Sequence, residues 1–237
     1  MRLNSKHLKI FSRCPAAFLF TLQNDLSSIT EQERIVKKII FKSVRQMLET
    51  SFRVRWRKIV EWVDKEVFKE EDIYEVERFN IAKKNSEYIL SALSTWYNKI
   101  YLNWEKESFV NIPLRTFKRN ILIEDKASII MLGNPITCVS INKEIHSSKK
   151  DYYSDIELKT LAWLTSKELK CEEVIIQSIS LGKKGRVDIN DIFYDKASLE
   201  KVEVYIENIC KIINNRLYYP SVSKECSECN YYENCNP

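Results

Sequence analysis

Four of the seven cysteines are divided between the two ends of this chain, and that division constrains the fold more than any other feature. Cys14 stands alone near the start. The last residues read Cys226-Ser-Glu-Cys229-Asn-Tyr-Tyr-Glu-Asn-Cys235, a C-x2-C-x5-C run. Thiolates are soft donors, and two residues between ligands let both face one ion without strain. A lone C-x-x-C would say little. A third cysteine in the same run, with a distant fourth, completes the set that an iron–sulfur cluster or a structural zinc requires. The two ends of the polypeptide are then expected to meet at one metal. The competing reading is two disulfides, but Cys138, Cys171 and Cys210 sit in apolar surroundings and the count is odd. Buried inert thiols beside a clustered set fit a reducing compartment better than an oxidising one.

The 237 residues suffice for one domain, 1–237, with a self-sufficient core. The opening MRLNSKHLKIF is basic but lacks the continuous apolar stretch of a secretory signal. No apolar run approaches the roughly 20 residues of a membrane span, so no membrane partner is expected. The expected location is the cytoplasm, and Lys-, Asn- and Ile-rich usage suggests an AT-rich bacterial or viral genome. A net charge of +5 from 38 basic and 33 acidic residues is too mild to argue for nucleic acid by itself. With three glycines and five prolines, most of the chain must be regular structure.

Apolar spacing divides the chain. Residues 4–24 read as a short amphipathic helix, with Pro15 near a helix start and Ser12 as its cap. From Thr30 to about Lys69, Ile35, Ile39, Ile40, Val44, Met47, Ile59 and Val63 recur at helical spacing, giving two helices broken near Thr50. A third runs from about Asp72 to Trp104, with Ile81, Ile89, Leu93 and Trp96 on its apolar side. The period then shortens. Alternations over 109–123, Ala127–Leu132 and Ile136–Ile141, and a weaker piece at Glu144–Lys149, predict a strand meander turning at Gly133–Pro135 and Asn142–Lys143. A helix at Asp155–Leu169 and a strand at Glu173–Leu181 follow. A turn at Gly182–Gly185 leads into a polar run to Asp191, and a last helix spans 197–216. The order predicts an α/β or α+β domain: a helical part at 25–108, a sheet core at 109–220 and a cysteine tail at 221–237.

The segment Phe11-Ser-Arg-Cys14-Pro15-Ala-Ala-Phe18, paired with the C-x2-C-x5-C tail, resembles the iron–sulfur branch of the RecB-like PD-(D/E)XK nuclease superfamily, which includes the CRISPR-adaptation nucleases. The resemblance is specific at both ends and covers the middle only in its order of elements. It implies a central mixed sheet flanked by helices. It also implies a [4Fe-4S] cluster held by Cys14, Cys226, Cys229 and Cys235; zinc is the alternative.

The family's catalytic core does not carry over. Such nucleases need an acid ending a Gly-x-x-Asp turn and an Asp/Glu-x-Lys on the next strand, which hold Mg²⁺ or Mn²⁺ and position the attacking water. Here Gly133-Asn134-Pro135 is followed by Ile136, and the next piece supplies Ser147-Ser148-Lys149, leaving only the lysine as a remnant. The family's Gln-x-x-x-Tyr becomes Glu157-Leu-Lys-Thr-Leu161. Isoleucine and serine cannot replace two anionic oxygens around a hard cation. Glu124-Asp125-Lys126 offers a competing acid-x-lysine, with Glu124 and Lys126 as candidates. Its upstream acid would have to be Glu105 or Glu107, neither in a glycine turn, and an exposed hairpin end is the simpler reading.

Arg53-Val-Arg55-Trp56-Arg57-Lys58, flanked by Lys42 and Arg45, alternates cations with an aromatic. Guanidinium groups can pair with phosphates and an exposed tryptophan can stack on a base. The alternative is a tryptophan packed in the core with its arginines along a solvated helix face. Lys183, Lys184 and Arg186 form a second small cluster, while His7 and His146 lack partners at ligand spacing. The expectation is an inactive, cluster-fastened nuclease-like protein that binds DNA or scaffolds a nucleic-acid-processing complex. The alternative is an active Mg²⁺- or Mn²⁺-dependent DNA nuclease.

Overall fold

A computed structural model describes residues 1–24, 31–50, 53–68, 76–102, 109–142, 149–181, 187–223, 226–227, 229 and 231–235. Its centre is a six-stranded mixed sheet. Strand β1 is Arg2–Leu3, β2 Phe109–Lys118, β3 Ile121–Met131, β4 Ile136–Asn142, β5 Val174–Leu181 and β6 Val187–Tyr194. β2 lies antiparallel along one edge of β3, from Phe109 opposite Met131 to Lys118 opposite Ile121. β4 takes part of the other edge antiparallel, at Ile129–Met131, and β1 takes its start in parallel, at Leu122–Ile123. β4 and β5 pair in parallel, and β6 closes the sheet antiparallel to β5.

Helices cover both faces. Strand side chains alternate, so each strand feeds two cores. Cys138, Val174 and Ile176 face helices α1 (Ser5–Arg13), α2 (Pro15–Asn24), α7 (Ile156–Leu169) and α8 (Lys196–Asn214). Val139, Ile141 and Ile179 face α3 (Glu31–Glu49), α4 (Trp56–Val67) and α5 (Val76–Trp96). The parallel β4–β5 pair needs a crossover, which α6 (Lys149–Ser154) and α7 supply. Asp155 starts α7 by accepting the Glu157 and Leu158 N–H groups at 2.7 and 3.3 Å. A π-helical turn at Tyr97–Tyr101 continues α5. On the α5 side, the buried Trp96 Nε1–H donates to Gln177 Oε1 at 3.0 Å, and Gln177 Nε2 donates to Asp191 at 3.1 Å. That relay fastens the helical layer to β5 and β6.

The mixed sheet between helices, the break after Glu49 and the helix at 156–169 agree with the sequence reading. Several local expectations are corrected. Residues 4–24 form two helices, because Cys14 is extended (φ −156°, ψ 111°) before Pro15, as a residue preceding proline tends to be. Ser12 therefore caps nothing; its hydroxyl donates to the Lys9 carbonyl within α1. The stretch 109–123 is split by a turn at Arg119 (φ 47°) and Asn120 (φ 64°), the left-handed pair of a tight hairpin. Arginine is an unusual occupant there, so no turn signal marked it. Strand β3 then continues through Glu124–Lys126 to Met131, gaining one extra residue opposite Pro113, which has no N–H to offer the ladder. The polar run before Asp191 is strand β6, an edge strand whose Asp188, Asn190 and Asp191 disguise its period. Ile81 is 40% exposed rather than on the apolar side of α5. The expected strand at Glu144–Lys149 and the Gly182–Gly185 turn fall largely or wholly outside the described residues, but Lys149 itself opens helix α6.

Candidate metal centre

Cys14 lies at the corner between α1 and α2. Its N–H ends α1 on the Ile10 carbonyl at 2.9 Å, and its own carbonyl accepts the Phe18 N–H at 3.1 Å. With both backbone groups committed to helices, the extended residue carries its side chain out of each. Pro15 suits the first position of α2, where a missing N–H costs nothing.

Aromatic side chains seat the tail beside this corner. Phe11 and Phe18 meet edge to face with centroids 5.3 Å apart, and Tyr218 lies 6.2 Å from Phe18. Farther on, Tyr231 stacks on Phe20 at 5.5 Å, and its hydroxyl is 3.2 Å from that of Thr21. Sequence reading missed these seats; the signal was the four tyrosines at 218, 219, 231 and 232 around the cysteines. The tail itself is a chain of tight turns. The Cys229 N–H bonds the Cys226 carbonyl at 3.1 Å, Tyr232 bonds Cys229 at 3.0 Å, and Cys235 bonds Tyr231 at 2.9 Å.

The sulfurs are held by the same backbone. The Ser221 N–H donates to Cys14 Sγ at 3.4 Å, the Ser223 N–H to Cys226 Sγ at 3.3 Å, and Cys226 Sγ donates to the Ser221 carbonyl at 3.8 Å. Ser221 thus bridges the first cysteine to the second. All four are half-buried and unbridged. The Cys235 thiol is pushed up by desolvation and then by the charges of Cys14, Cys229 and Cys226. Four thiolates in one another's field repel, and a cation among them removes that penalty. Even so, among the described residues no three His, Cys, Asp or Glu side chains converge closely enough to hold an ion. The two observations concern different ranges: the thiols share one neighbourhood without closing on one point. The donor set fits a soft metal; four thiolates on one zinc would stand within about 4 Å of each other, given Zn–S bonds of about 2.3 Å.

The residues expected to be left from a nuclease centre are not brought together. Ile136 opens β4 and packs half-buried against the α7–α8 core. Lys149 opens α6, whose Tyr152 hydroxyl donates to Ser180 Oγ at 3.3 Å. Ser180 pairs with Asn142, at the opposite end of β4 from Ile136 and about 20 Å along the strand. Lys149 therefore does not follow Ile136 on a neighbouring strand, and that expected motif is corrected. Ser147 lies outside the described residues. At this end of the sheet Tyr152, Ser180 and Ser178 form a buried run of hydroxyls, with Ser178 and Ser180 Oγ 3.3 Å apart. Glu157 pairs with Lys9 at 3.2 Å and Leu161 is core. Glu124 is half-buried in β3 opposite Arg115, and Lys126 lies at the bulge of the same strand.

The basic segment joins a half-buried tryptophan to exposed cations. Trp56 packs against Tyr97 with centroids 5.6 Å apart and joins the α3–α5 core. Arg57 and Lys58 reach Glu61 at 3.5 and 3.6 Å, Lys42 reaches Glu66 at 2.6 Å, and Arg45 reaches Glu49 at 2.6 Å. Arg53 donates to the Leu102 carbonyl, and Arg55 is exposed. Between them Val54 is clamped by Tyr101, which accepts its N–H at 3.1 Å, and by Tyr97, which donates to its carbonyl at 3.0 Å. This is a packed connection between α3 and α4. Lys183, Lys184, Arg186 and His146 lie outside the described residues; His7 serves the capping box of α1, its ring accepting the Asn4 N–H at 3.2 Å.

No protein-family model and no curated protein matches this sequence. The structure, however, aligns with that of a protein from Eubacterium rectale provisionally designated an exonuclease. The match covers 97% of this chain and 87% of that one, with a TM-score of 0.54 and 10% identity. The fold is nuclease-like. At that identity the likeness extends to the fold alone. A second solved structure, SSO0001, aligns over 87% of this chain and 96% of its own at 16% identity, with a TM-score of 0.33 that carries no argument. Among the described residues no helix is long and apolar enough to cross a membrane.

Proposed function

We propose that this chain is an iron–sulfur-fastened member of the RecB-like PD-(D/E)XK group with a lost catalytic centre, serving as a DNA-binding or scaffolding subunit in a nucleic-acid-processing complex. One observation carries the reading: the corner at Cys14 and the tail at Cys226, Cys229 and Cys235 share one neighbourhood. The inactive centre rests on the sequence, where Ile136 follows the Gly133-Asn134-Pro135 turn in place of an acid. The nuclease-like fold supports it. The four cysteines would hold a [4Fe-4S] cluster, which supplies a covalent fastening and no bond-breaking step. Ser221 and Ser223 present N–H groups to the sulfurs, and Phe20, Thr21 and Tyr231 fix the approach of the tail. Cytoplasmic conditions suit reduced thiols and such a cluster.

Purification without oxygen tests the proposal. The expected product is brown, contains iron and acid-labile sulfide, and leaves single- and double-stranded DNA intact with Mg²⁺ or Mn²⁺. Colourless protein with stoichiometric zinc would refute the cluster. Cation-dependent cleavage abolished by Glu124→Ala would refute the inactive centre.

A further inference from the structure

On the sheet face that carries α7 and α8, a cleft of about 500 Å³ opens between the start of α7, the end of β6 and the first half of α8. Lys159 and Lys201 line it, with no carboxylate beside them in the lining. Neither makes an ion pair among the described residues, whereas Lys9, Lys118 and Lys167 each meet an acid. The neighbouring acids are engaged in part by other groups. Asp155 caps α7 and pairs with Lys9 at 3.3 Å, though its charge also reaches Tyr194. Asp195 accepts the Ser198 N–H at 2.8 Å while feeling the Lys201 charge without pairing with it. The Ser12 and Ser154 hydroxyls already donate to the carbonyls of Lys9 and Asp151, so they offer lone pairs rather than protons. The charged donors for a ligand are therefore the two ammonium groups.

The rest of the wall is aromatic. Tyr153 and Tyr205 are 45% and 41% exposed, and the apolar Ile156 and Val202 lie with them. Tyr194 also lines the cleft. It is 2% exposed, and its hydroxyl has no hydrogen-bond partner among the described residues. A buried polar group left unpaired in native proteins calls for a missing partner, which an acceptor on a ligand would provide.

Ammonium groups bind phosphate as point charges, open tyrosine rings stack on bases, and the volume suits a small organic ion. We infer that this cleft binds one nucleotide unit, its phosphate on Lys159 and Lys201 and its base against Tyr153 and Tyr205. The unit is either a free nucleotide or the end of a single strand. The inference deepens the proposed nucleic-acid role and rests on it, but it moves the contact from residues 53–58 to the opposite face of the sheet.

The test uses full-length, iron-loaded protein and a 5′-phosphorylated oligothymidylate with a 3′ fluorophore, read by anisotropy. Competitors are dTMP, thymidine and inorganic phosphate. dTMP should compete, with thymidine and phosphate each at least about ten-fold weaker. Lys159→Ala combined with Lys201→Ala should weaken the oligonucleotide about ten-fold or more, and Tyr205→Ala about five-fold, at unchanged iron content and melting temperature. dTMP as tight as the oligonucleotide would mark a free-nucleotide site; a much tighter oligonucleotide would mark a strand end. Unaltered binding by the double lysine variant would overturn the inference, as would phosphate competing as well as dTMP. Protein that carries no iron when purified without oxygen, yet binds dTMP through these lysines, would end the cluster reading and leave the cleft standing. Iron-loaded protein that binds neither ligand would do the reverse.

Discussion

The link between Trp96, Gln177 and Asp191 can be dissected by a double-mutant cycle. Gln177→Leu keeps the side chain's bulk but leaves the Trp96 N–H buried without an acceptor, since Trp96 is fully buried and its 3.0 Å bond to Gln177 is lost. An unsatisfied buried donor costs about 1–3 kcal/mol. Asp191 is exposed and returns to water, adding little. Trp96→Phe strands the Gln177 oxygen instead and leaves a void the size of the missing ring, so about 2–4 kcal/mol is expected. With both changes neither polar group remains, and only the packing defect persists. The double variant should therefore be less unstable than the sum of the singles by about 1–2 kcal/mol. For a domain of this size each kcal/mol shifts the melting temperature by about 2–4 °C. Urea unfolding followed by tryptophan fluorescence and circular dichroism measures all four corners. Additivity within about 0.5 kcal/mol would refute the claim that this hydrogen bond joins the helical layer to the sheet.

Cys14→Ser should lower metal content and the melting temperature as much as Cys229→Ser does, by several kcal/mol if one centre joins them; full metal in Cys14→Ser would exclude that. Trp56→Ala should destabilise the fold by about 2–3 kcal/mol, while Arg57→Ala and Lys58→Ala stay within about 0.5 kcal/mol, because the ring packs on Tyr97 and the cations pair in solvent. Burial pushes the Glu203 carboxyl up, but hydrogen bonds and charges from Lys118 and Lys167 outweigh it and hold the group below the usual carboxylate range. A depressed folded value contributes stability above the unfolded value near pH 4.3 that is lost as pH falls through the folded one. Thermal melts from pH 6 to pH 3 should therefore show a smaller acid loss for Glu203→Gln than for the parent; equal slopes would reject the assignment.

The helices were legible because Ile39, Ile40, Val44, Ile59 and Val63 repeat at a helical period, and burial follows that period. The strands were legible where they are buried, as in Ile136–Ile141 and Val174–Leu181, and obscure where they run along an edge. Strand β6 carries acids and amides among its apolar residues, and β1 is too short to show a period. The hairpin at Arg119–Asn120 lacks glycine, yet Asn214 Nδ2 donates to the Arg119 carbonyl at 2.9 Å, a tertiary contact no local rule anticipates. The cysteine pattern pointed to the corner and the tail. The aromatic seats that hold them together did not, because Phe20 and Tyr231 are neighbours only after folding. In the 53–58 segment the charge pattern was legible but the packing of Trp56 on Tyr97, which lies far along the sequence, was not.

The proposed sharing of one centre by Cys14 and Cys235, whose charges act on each other, has a consequence for biosynthesis. Most of the sequence separates the two, so the proposed centre would not assemble until Cys235 had left the ribosome. Entropy for so long a loop grows only logarithmically with its length, so the final closure is thermodynamically mild. Its cost is delay. A premature stop between Tyr194, which ends the last strand, and Cys235 would leave every strand of the sheet in place and the proposed latch open.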